Sequence, residues 1–283
     1  MSNIIFSADS TADLSPEIVK DFNINIIPLR VILGDDEYID GVTLKASEIY
    51  TFVDKTGVLP RTAAVNEADF GEHFDKLLNG NKDNVVIHFS LSSELSCSCQ
   101  NSKLAANDRE NVHVVDGRAL STGTSLLMLK AVDMAREGKG VDEILAFCNE
   151  NAGKIQTSFV VDDLLYLYKG GRCKGLTMYM ANLLKIHPML QMHDGFLKQE
   201  TKLRGNMKIV IRKYIEYLKE QNPNPDNTRC FITHTDMDRE LVDLAISLTK
   251  EHFNFETVYD TEAGATIASH CGRGTLGLLF LNK

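Results

Sequence analysis

The chain has 283 residues, 43% of them hydrophobic, and a formal net charge of −9 at pH 7. It is long enough for two hydrophobic cores, because single cores stop growing near about 250–300 residues. The acidic balance argues against nucleic-acid binding, which depends on Lys and Arg neutralising phosphates. Since we find no signal-peptide pattern and no apolar run of the roughly 18–20 residues that a membrane span needs, we predict a cytoplasmic protein without stable membrane insertion.

Short apolar runs alternate with amphipathic ones in the first half of the chain, a pattern typical of parallel sheets covered by helices. The predicted strands lie at residues 3–8, 24–32, 84–90 and 112–115. The predicted helices begin at Pro16 and after Leu95, and cover residues 46–55, 67–79, 119–137 and 141–152. We therefore expect an N-terminal three-layer α/β/α domain with a mainly parallel sheet.

The pattern changes near residue 155, where we predict the boundary between domains of residues 1–155 and 156–283. A strand at 155–161 and helices at 164–167 and 175–184 precede a hairpin whose turn is Asp194-Gly195. The remaining predicted elements are helices at 208–220 and 237–252 and strands at 230–233, 257–259 and 278–280. We expect a C-terminal α/β domain with a mixed or antiparallel sheet.

The six cysteines are sparse and share no Cys-x-x-Cys or paired Cys/His spacing. We therefore predict reduced structural thiols, and we expect no metal site. The cysteines are Cys97, Cys99, Cys148, Cys173, Cys230 and Cys271.

Five serines fall within residues 90–98, directly after a β-branched apolar run and ahead of a predicted helix. Hydroxyls and free backbone N–H groups gather where a buried strand reaches the surface, and such an edge can hold a small anion. Other polar elements beside the ends of apolar runs lie at residues 60–63, 170–172, 202–205 and 269–274. An isolated Ser or Thr is ordinarily a cap or turn hydroxyl, so only the combination is informative.

This combination, in its order along the entire chain, resembles the DegV family. The matching segments are Asp9-Ser10-Thr11-Ala12-Asp13-Leu14, Ile27-Pro28-Leu29, Tyr38-Ile39-Asp40, Pro60-x-Thr62, Ser92-Ser93-x-Leu95-Ser96, Leu164-x-Tyr166-Leu167-x-x-Gly170-Gly171-Arg172, Lys185-x-x-Pro188, Asp194-Gly195, Arg204 and His270-x-Gly272-x-Gly274.

The resemblance implies a two-domain α/β protein that binds one long-chain fatty acid between its domains and needs no other cofactor. Related members are the acyl-carrying subunit of a bacterial fatty acid kinase. They present the carboxylate to a partner kinase, similar to dihydroxyacetone kinases, which phosphorylates it with ATP to an acyl phosphate for phospholipid metabolism. The chain would then be a lipid-binding subunit without enzymatic activity of its own.

The resemblance also implies a carboxylate site. Thr62 and Ser96 match its hydroxyl positions, and Arg204 and His270 match the cationic and imidazole positions near the head group. Secondary candidates are Ser93, Ser98 and Arg172. A buried carboxylate needs several donors, because an uncompensated anion is costly to remove from water. We expect the apolar helices at residues 126–135 and 175–184 to form walls for the acyl tail.

The chain departs from the family pattern at three places. Thr62 is followed by Ala63-Ala64-Val65 in place of Ser-x-Pro, and Cys97 and Cys99 replace a glycine and a tyrosine. Arg273 replaces the proline of Gly-Pro-Gly. Since a glycine permits the closest backbone approach, these changes affect the expected geometry of the head-group site.

Two other function classes stay open at this point. Ser96 with His270 and Asp9 could form a nucleophile triad for acyl hydrolysis, or Cys97 at a helix N-terminus could be the nucleophile. No Gly-x-Ser-x-Gly elbow surrounds the serines. A phosphate-ligand enzyme is the second class, although the glycine-rich segments at 170–171 and 272–277 match neither a P-loop nor a dinucleotide-binding motif.

Overall fold

The computed structural model describes residues 3–174 and 186–283. Its strands are β1 Asn3–Asp9, β2 Ile24–Ile27, β3 Arg30–Leu33, β4 Asp36–Ile39, β5 Arg61–Ala63, β6 Asn84–Ser90, β7 Val112–Asp116, β8 Ile155–Gln156, β9 Ser158–Val160, β10 Cys173–Lys174, β11 Ile186–His193, β12 Phe196–Arg204, β13 Pro225–His234, β14 Thr257–Glu262 and β15 Leu276–Asn282. Its helices are α1 Pro16–Asp21, α2 Ala46–Thr56, α3 Glu67–Leu78, α4 Ser98–Ala106, α5 Thr122–Arg136, α6 Val141–Asn151, α7 Leu165–Gly170, α8 Met207–Gln221, α9 Arg239–His252 and α10 Ala265–Cys271. The helix predicted at 175–184 lies outside the described residues.

The first sheet is parallel, with strand order β2-β1-β6-β7. Every residue of β6 is buried, as expected for a strand with both faces covered. Residues of α1, α5 and α6 pack on one face, and residues of α3 and α4 pack on the other. This confirms the predicted three-layer α/β/α arrangement.

One predicted strand, at residues 24–32, is in fact two strands that belong to different sheets. β2 ends at Ile27, and β3 begins at Arg30 as the middle strand of an antiparallel sheet with order β4-β3-β5. Pro28 lies between them and has no N–H to donate to a strand ladder, so the chain leaves the first sheet there. The small sheet pairs Val31 with Thr62 and so positions a predicted site residue.

The second sheet is mixed, with strand order β10-β12-β11-β9-β15-β13-β14 and β8 beside β15. β11 and β12 form the predicted hairpin, in which Asp194 and Gly195 both have positive φ, as the favoured two-residue turn requires. β13 and β14 are parallel, with α9 between them in the chain. The mixed sheet confirms the prediction for the second half.

Helix α5 lies between the two sheets. Leu127, Met128 and Leu129 are fully buried, and the same core contains Phe231 and Leu279 from the second sheet. This position explains why the helix is apolar over more than one face. The fold is therefore a two-domain α/β fold, whereas a boundary at residue 155 stays a prediction.

Candidate functional site

A cavity of about 420 Å³ collects side chains from both halves of the chain. Its apolar wall consists of Leu29, Ala64, Leu91, Leu95, Leu120, Phe159, Leu167, Leu197 and Ile267, and its other lining residues are Thr62, Ser93, Glu94, Ser96, Cys97, Arg172, Thr266, His270 and Cys271. The prediction that residues 126–135 form a wall of this cavity was wrong. These residues belong to α5, which packs in the core between the two sheets and does not line the cavity. The other predicted wall, at 175–184, lies outside the described residues.

Two polar residues of the lining, Thr62 and His270, are in direct contact. The Thr62 Oγ1 and His270 Nε2 atoms are 2.8 Å apart, although the residues are 208 positions apart in sequence. Burial, with a smaller contribution from the charge of Arg172, lowers the pKa of His270 to about 4. The imidazole is therefore neutral at pH 7, and its contact with Thr62 is a hydrogen bond between neutral groups.

Two buried aspartates hold the start of α10, the helix that carries His270. Asp13 Oδ1 accepts from the Gly264 N–H and Asp40 Oδ1 accepts from the Ala265 N–H, both at 2.8 Å. Burial raises the pKa of Asp13 well above its usual value. Both aspartates fall in segments that carry the family resemblance, and that was the only sequence signal for this role.

The Gly170-Gly171-Arg172 segment lies against the other edge of the imidazole. A Cβ atom at Gly170 would lie 2.6 Å from His270 Nδ1, so only glycine lets α7 come this close. Gly171 has φ +66° and ends the helix, as glycine commonly does at this position. Arg172 lines the cavity and donates from Nη1 to the Gly170 carbonyl at 2.7 Å.

Most serines of the 90–98 segment are engaged by other protein groups. Ser93 lines the cavity but donates to Asp116 Oδ2 at 2.6 Å. Ser98 is fully buried, does not line the cavity and donates its N–H to Ser96 Oγ at 3.2 Å. Ser96 is half-buried, lines the cavity together with Thr62 and His270, and donates from its hydroxyl to Ser98 Oγ at 3.2 Å.

Arg204, the fourth predicted carboxylate residue, stands apart from the other three. It is the last residue of β12, is exposed and does not line the cavity. Its backbone carbonyl accepts a hydrogen bond from Lys213 Nζ at 3.0 Å. The structure thus brings Thr62, Ser96, His270 and Arg172 to one cavity, and the role of Arg204 stays a prediction.

The residues that depart from the family pattern, Ala63, Cys97, Cys99 and Arg273, have no positive φ value. Cys97 has φ −72° and ψ −7°, a conformation open to any residue, and Cys99 is buried behind the lining. Arg273 points away and forms ion pairs with Asp54 and Asp236 at 2.8 and 3.0 Å. The six cysteines form no disulfide bond with one another in the described part of the chain.

The hydrogen bonds do not form the triad considered from sequence. His270 Nε2 contacts Thr62 rather than Ser96, and Asp9 accepts from Thr11, Ser90 and the Leu91 N–H. The glycine-rich segments also lack a phosphate cradle, because Gly171 and Gly272 end helices, where carbonyls rather than N–H groups are exposed. Gly272 and Gly274 pack instead against Tyr166 and Asp162.

A second concavity of about 530 Å³ adjoins the first and shares Thr62, Arg172 and His270 with it. Arg61 and Lys169 add positive charge to its lining. Within residues 3–174 and 186–283, no group of three or more His, Cys, Asp or Glu side chains could hold a metal ion. None of the helices in the same ranges is both long and apolar enough to cross a membrane.

Comparison with known proteins gives a consistent result over the whole chain. The model of the family described as "Uncharacterised protein, DegV family" matches residues 4–283. A DegV domain-containing protein of Caldanaerobacter subterraneus is 30% identical over 285 residues, which cover 100% of both chains.

Solved structures agree with the family model. A DegV family protein from Thermus thermophilus, described by its fatty acid binding, has a TM-score of 0.91 and 25% identity with full coverage of both chains. DegV of Bacillus subtilis, described as a fatty acid binding protein, has a TM-score of 0.85 and 26% identity, again with full coverage. A DegV lipid binding protein from Thermotoga maritima has a TM-score of 0.87 and 28% identity, with 99% and 98% of the two chains covered. The chain therefore belongs to the DegV family.

Proposed function

We propose that this protein binds one long-chain fatty acid in the cavity of about 420 Å³, with the carboxylate at Thr62 and Ser96. The observation that carries the proposal is the lining of this cavity, which combines nine apolar side chains with hydroxyl, imidazole and guanidinium groups. The solved relatives described as fatty acid binding proteins support it.

The apolar wall is suited to an acyl tail. Leu120, Phe159, Leu167 and Leu197 are each less than 10% exposed and come from four separate parts of the chain. Burying an alkyl chain against such residues contributes about 0.8 kcal/mol per methylene, so a long tail supplies most of the affinity. A short-chain acid would lose most of this energy and bind weakly.

The polar cluster is suited to a carboxylate. Thr62 and Ser96 are hydroxyl donors on the wall, and Arg172 is a nearby cation. Charge-assisted hydrogen bonds contribute roughly 1.5–3 kcal/mol each, which offsets the cost of removing the anion from water. Ser93 is a weaker candidate because its hydroxyl donates to the Asp116 carboxylate at 2.6 Å, whereas the Ser96 hydroxyl donates only to the neutral Ser98 Oγ, at 3.2 Å.

We further propose that the protein is a carrier subunit in the cytoplasm, whose bound carboxylate is phosphorylated by a partner kinase resembling dihydroxyacetone kinases. The acyl phosphate would supply phospholipid synthesis. Thr62, Arg172 and His270 also line the second concavity, so a carboxylate beside them is accessible from that side. Arg61 and Lys169 give this concavity the charge that favours a phosphate-bearing partner.

Organic extraction of the denatured protein tests the binding step. We expect about one equivalent of long-chain fatty acid by mass spectrometry. Ala64→Phe places a ring in the cavity and should abolish the bound lipid, whereas Ala63→Phe changes the neighbouring residue, which does not line the cavity. A lipid-free wild type that hydrolyses a p-nitrophenyl ester would support the hydrolase alternative instead.

A hydroxylamine trapping assay tests the kinase step. Loaded protein, ATP and a dihydroxyacetone-kinase-like protein should together give an acyl hydroxamate that none gives alone. Arg172→Ala should slow the reaction while lipid remains bound, and Arg118→Ala, at an exposed arginine outside both cavities, should not. Bound lipid without any hydroxamate would reject the kinase step and leave the binding step intact.

A further inference from the structure

The two ring nitrogens of His270 have different surroundings. Nε2 lies 2.8 Å from Thr62 Oγ1. Nδ1 is buried and has no hydrogen-bond partner among the described residues. It faces Gly170, where a Cβ atom would lie 2.6 Å away, so a Cα hydrogen of Gly170 points toward this nitrogen.

A neutral imidazole carries one N–H, on either Nδ1 or Nε2. Because burial and Arg172 keep His270 neutral at pH 7, one of these two tautomers must be present. An N–H on Nδ1 would be a buried donor without an acceptor, directed at a positively polarised Cα hydrogen. Orphaned buried N–H groups are rarer than under-satisfied acceptors, so the lone pair belongs on Nδ1.

We propose that Gly170 is a positioning residue that holds His270 as the Nε2–H tautomer, and that this tautomer sets the direction of the hydrogen bond to Thr62. Nε2–H then donates to Thr62 Oγ1, and the Thr62 hydroxyl hydrogen is free for the bound carboxylate. In the other tautomer, Thr62 would donate to Nε2 and turn its oxygen lone pairs toward the anion. The inference rests on the proposed function, because the carboxylate receives that hydrogen.

Long-range ¹H–¹⁵N correlation spectra of protein labelled with ¹⁵N-histidine measure the tautomer directly. The chain has eight histidines, and His270→Gln identifies the signals of His270. We expect Nε2–H to exceed Nδ1–H by more than about ten to one, given the cost of an unsatisfied buried donor. Equal populations, or an excess of Nδ1–H, would overturn the proposal.

Gly170→Ala tests the positioning role. Its methyl group would displace the imidazole from Thr62, so we expect the tautomer preference to fall and the Kd for oleate to rise about tenfold or more. Gly153→Ala is the matched control, because a Cβ there meets nothing within 4 Å and φ is not positive. A folded Gly170→Ala protein with unchanged spectra and unchanged Kd would show that Gly170 has no such role.

A second variant covers the case in which Gly170→Ala fails to fold. Thr62→Val removes the acceptor of Nε2–H, and we expect its His270 to lose the tautomer preference, whereas Thr62→Ser should retain it. An excess of Nδ1–H in Thr62→Ser, in which both Gly170 and the hydroxyl are kept, would overturn the proposal. Failure of the proposed function gives a distinct result: the wild type would release no fatty acid on extraction, whichever tautomer His270 adopts.

Discussion

Replacing Thr62 by Val keeps the shape of the side chain, suits strand β5 and removes the hydroxyl 2.8 Å from His270 Nε2. The carboxylate then loses one charge-assisted hydrogen bond, worth roughly 1.5–3 kcal/mol. Since 1.4 kcal/mol is a factor of ten, we expect the Kd for oleate to rise about 10- to 100-fold. The apolar wall is unchanged, so the variant should still bind, with most of the tail energy retained.

Isothermal titration calorimetry of delipidated protein with oleate gives the required Kd values. Thr62→Ser keeps a hydroxyl and should bind within a few-fold of the wild type. Thr51→Val is the matched control, because its hydroxyl donates to the Ser47 carbonyl on an exposed helix surface. An unchanged Kd for Thr62→Val, with an unchanged melting temperature, would refute the role of Thr62 as a carboxylate donor.

Burial lowers the pKa of His88 from 6.5 to about 3, so its contribution to stability is complete above about pH 6.5 and is lost as the pH falls toward 3. When the pH falls from about 7.5 to about 5.5, the free energy of unfolding measured with urea should therefore decrease by about 1.4 kcal/mol more for the wild type than for His88→Gln. A pH-independent difference between the two proteins would contradict this. Leu127→Ala should lower the free energy of unfolding by about 2–5 kcal/mol, because Leu127 is fully buried in the core. The length of the extracted fatty acid should not change, because Leu127 does not line the cavity. Arg273→Ala should change the unfolding free energy by less than about 1 kcal/mol and leave lipid content unchanged, since its ion pairs with Asp54 and Asp236 are partly exposed; a lipid-free variant would argue against this assignment.

Local chemistry made several elements predictable. Ser15 caps α1 by accepting from the Ile18 N–H, and Pro16 opens that helix, as its fixed φ favours. Asp194 and Gly195 supply the two positive φ values of the hairpin turn. Interactions within a few residues decide these features, so they can be read from a short window. Pro28 is a local signal of the same kind, but it lies in an apolar run, and residues 24–32 were predicted as one strand instead of two.

The alternation of strands and helices was predictable from the amino-acid sequence, as were the change of pattern in the second half, the family resemblance and the small group of candidate site residues. Which of these candidates come into contact depends on the tertiary structure. Thr62 and His270 come into contact because Asp13 and Asp40 fix the start of α10 from distant loops. The packing of the elements also places Arg204 outside the cavity lining and α5 in the core. The physical reason is that the direction of a side chain depends on how elements far apart in the chain pack, and no linear spacing contains that information.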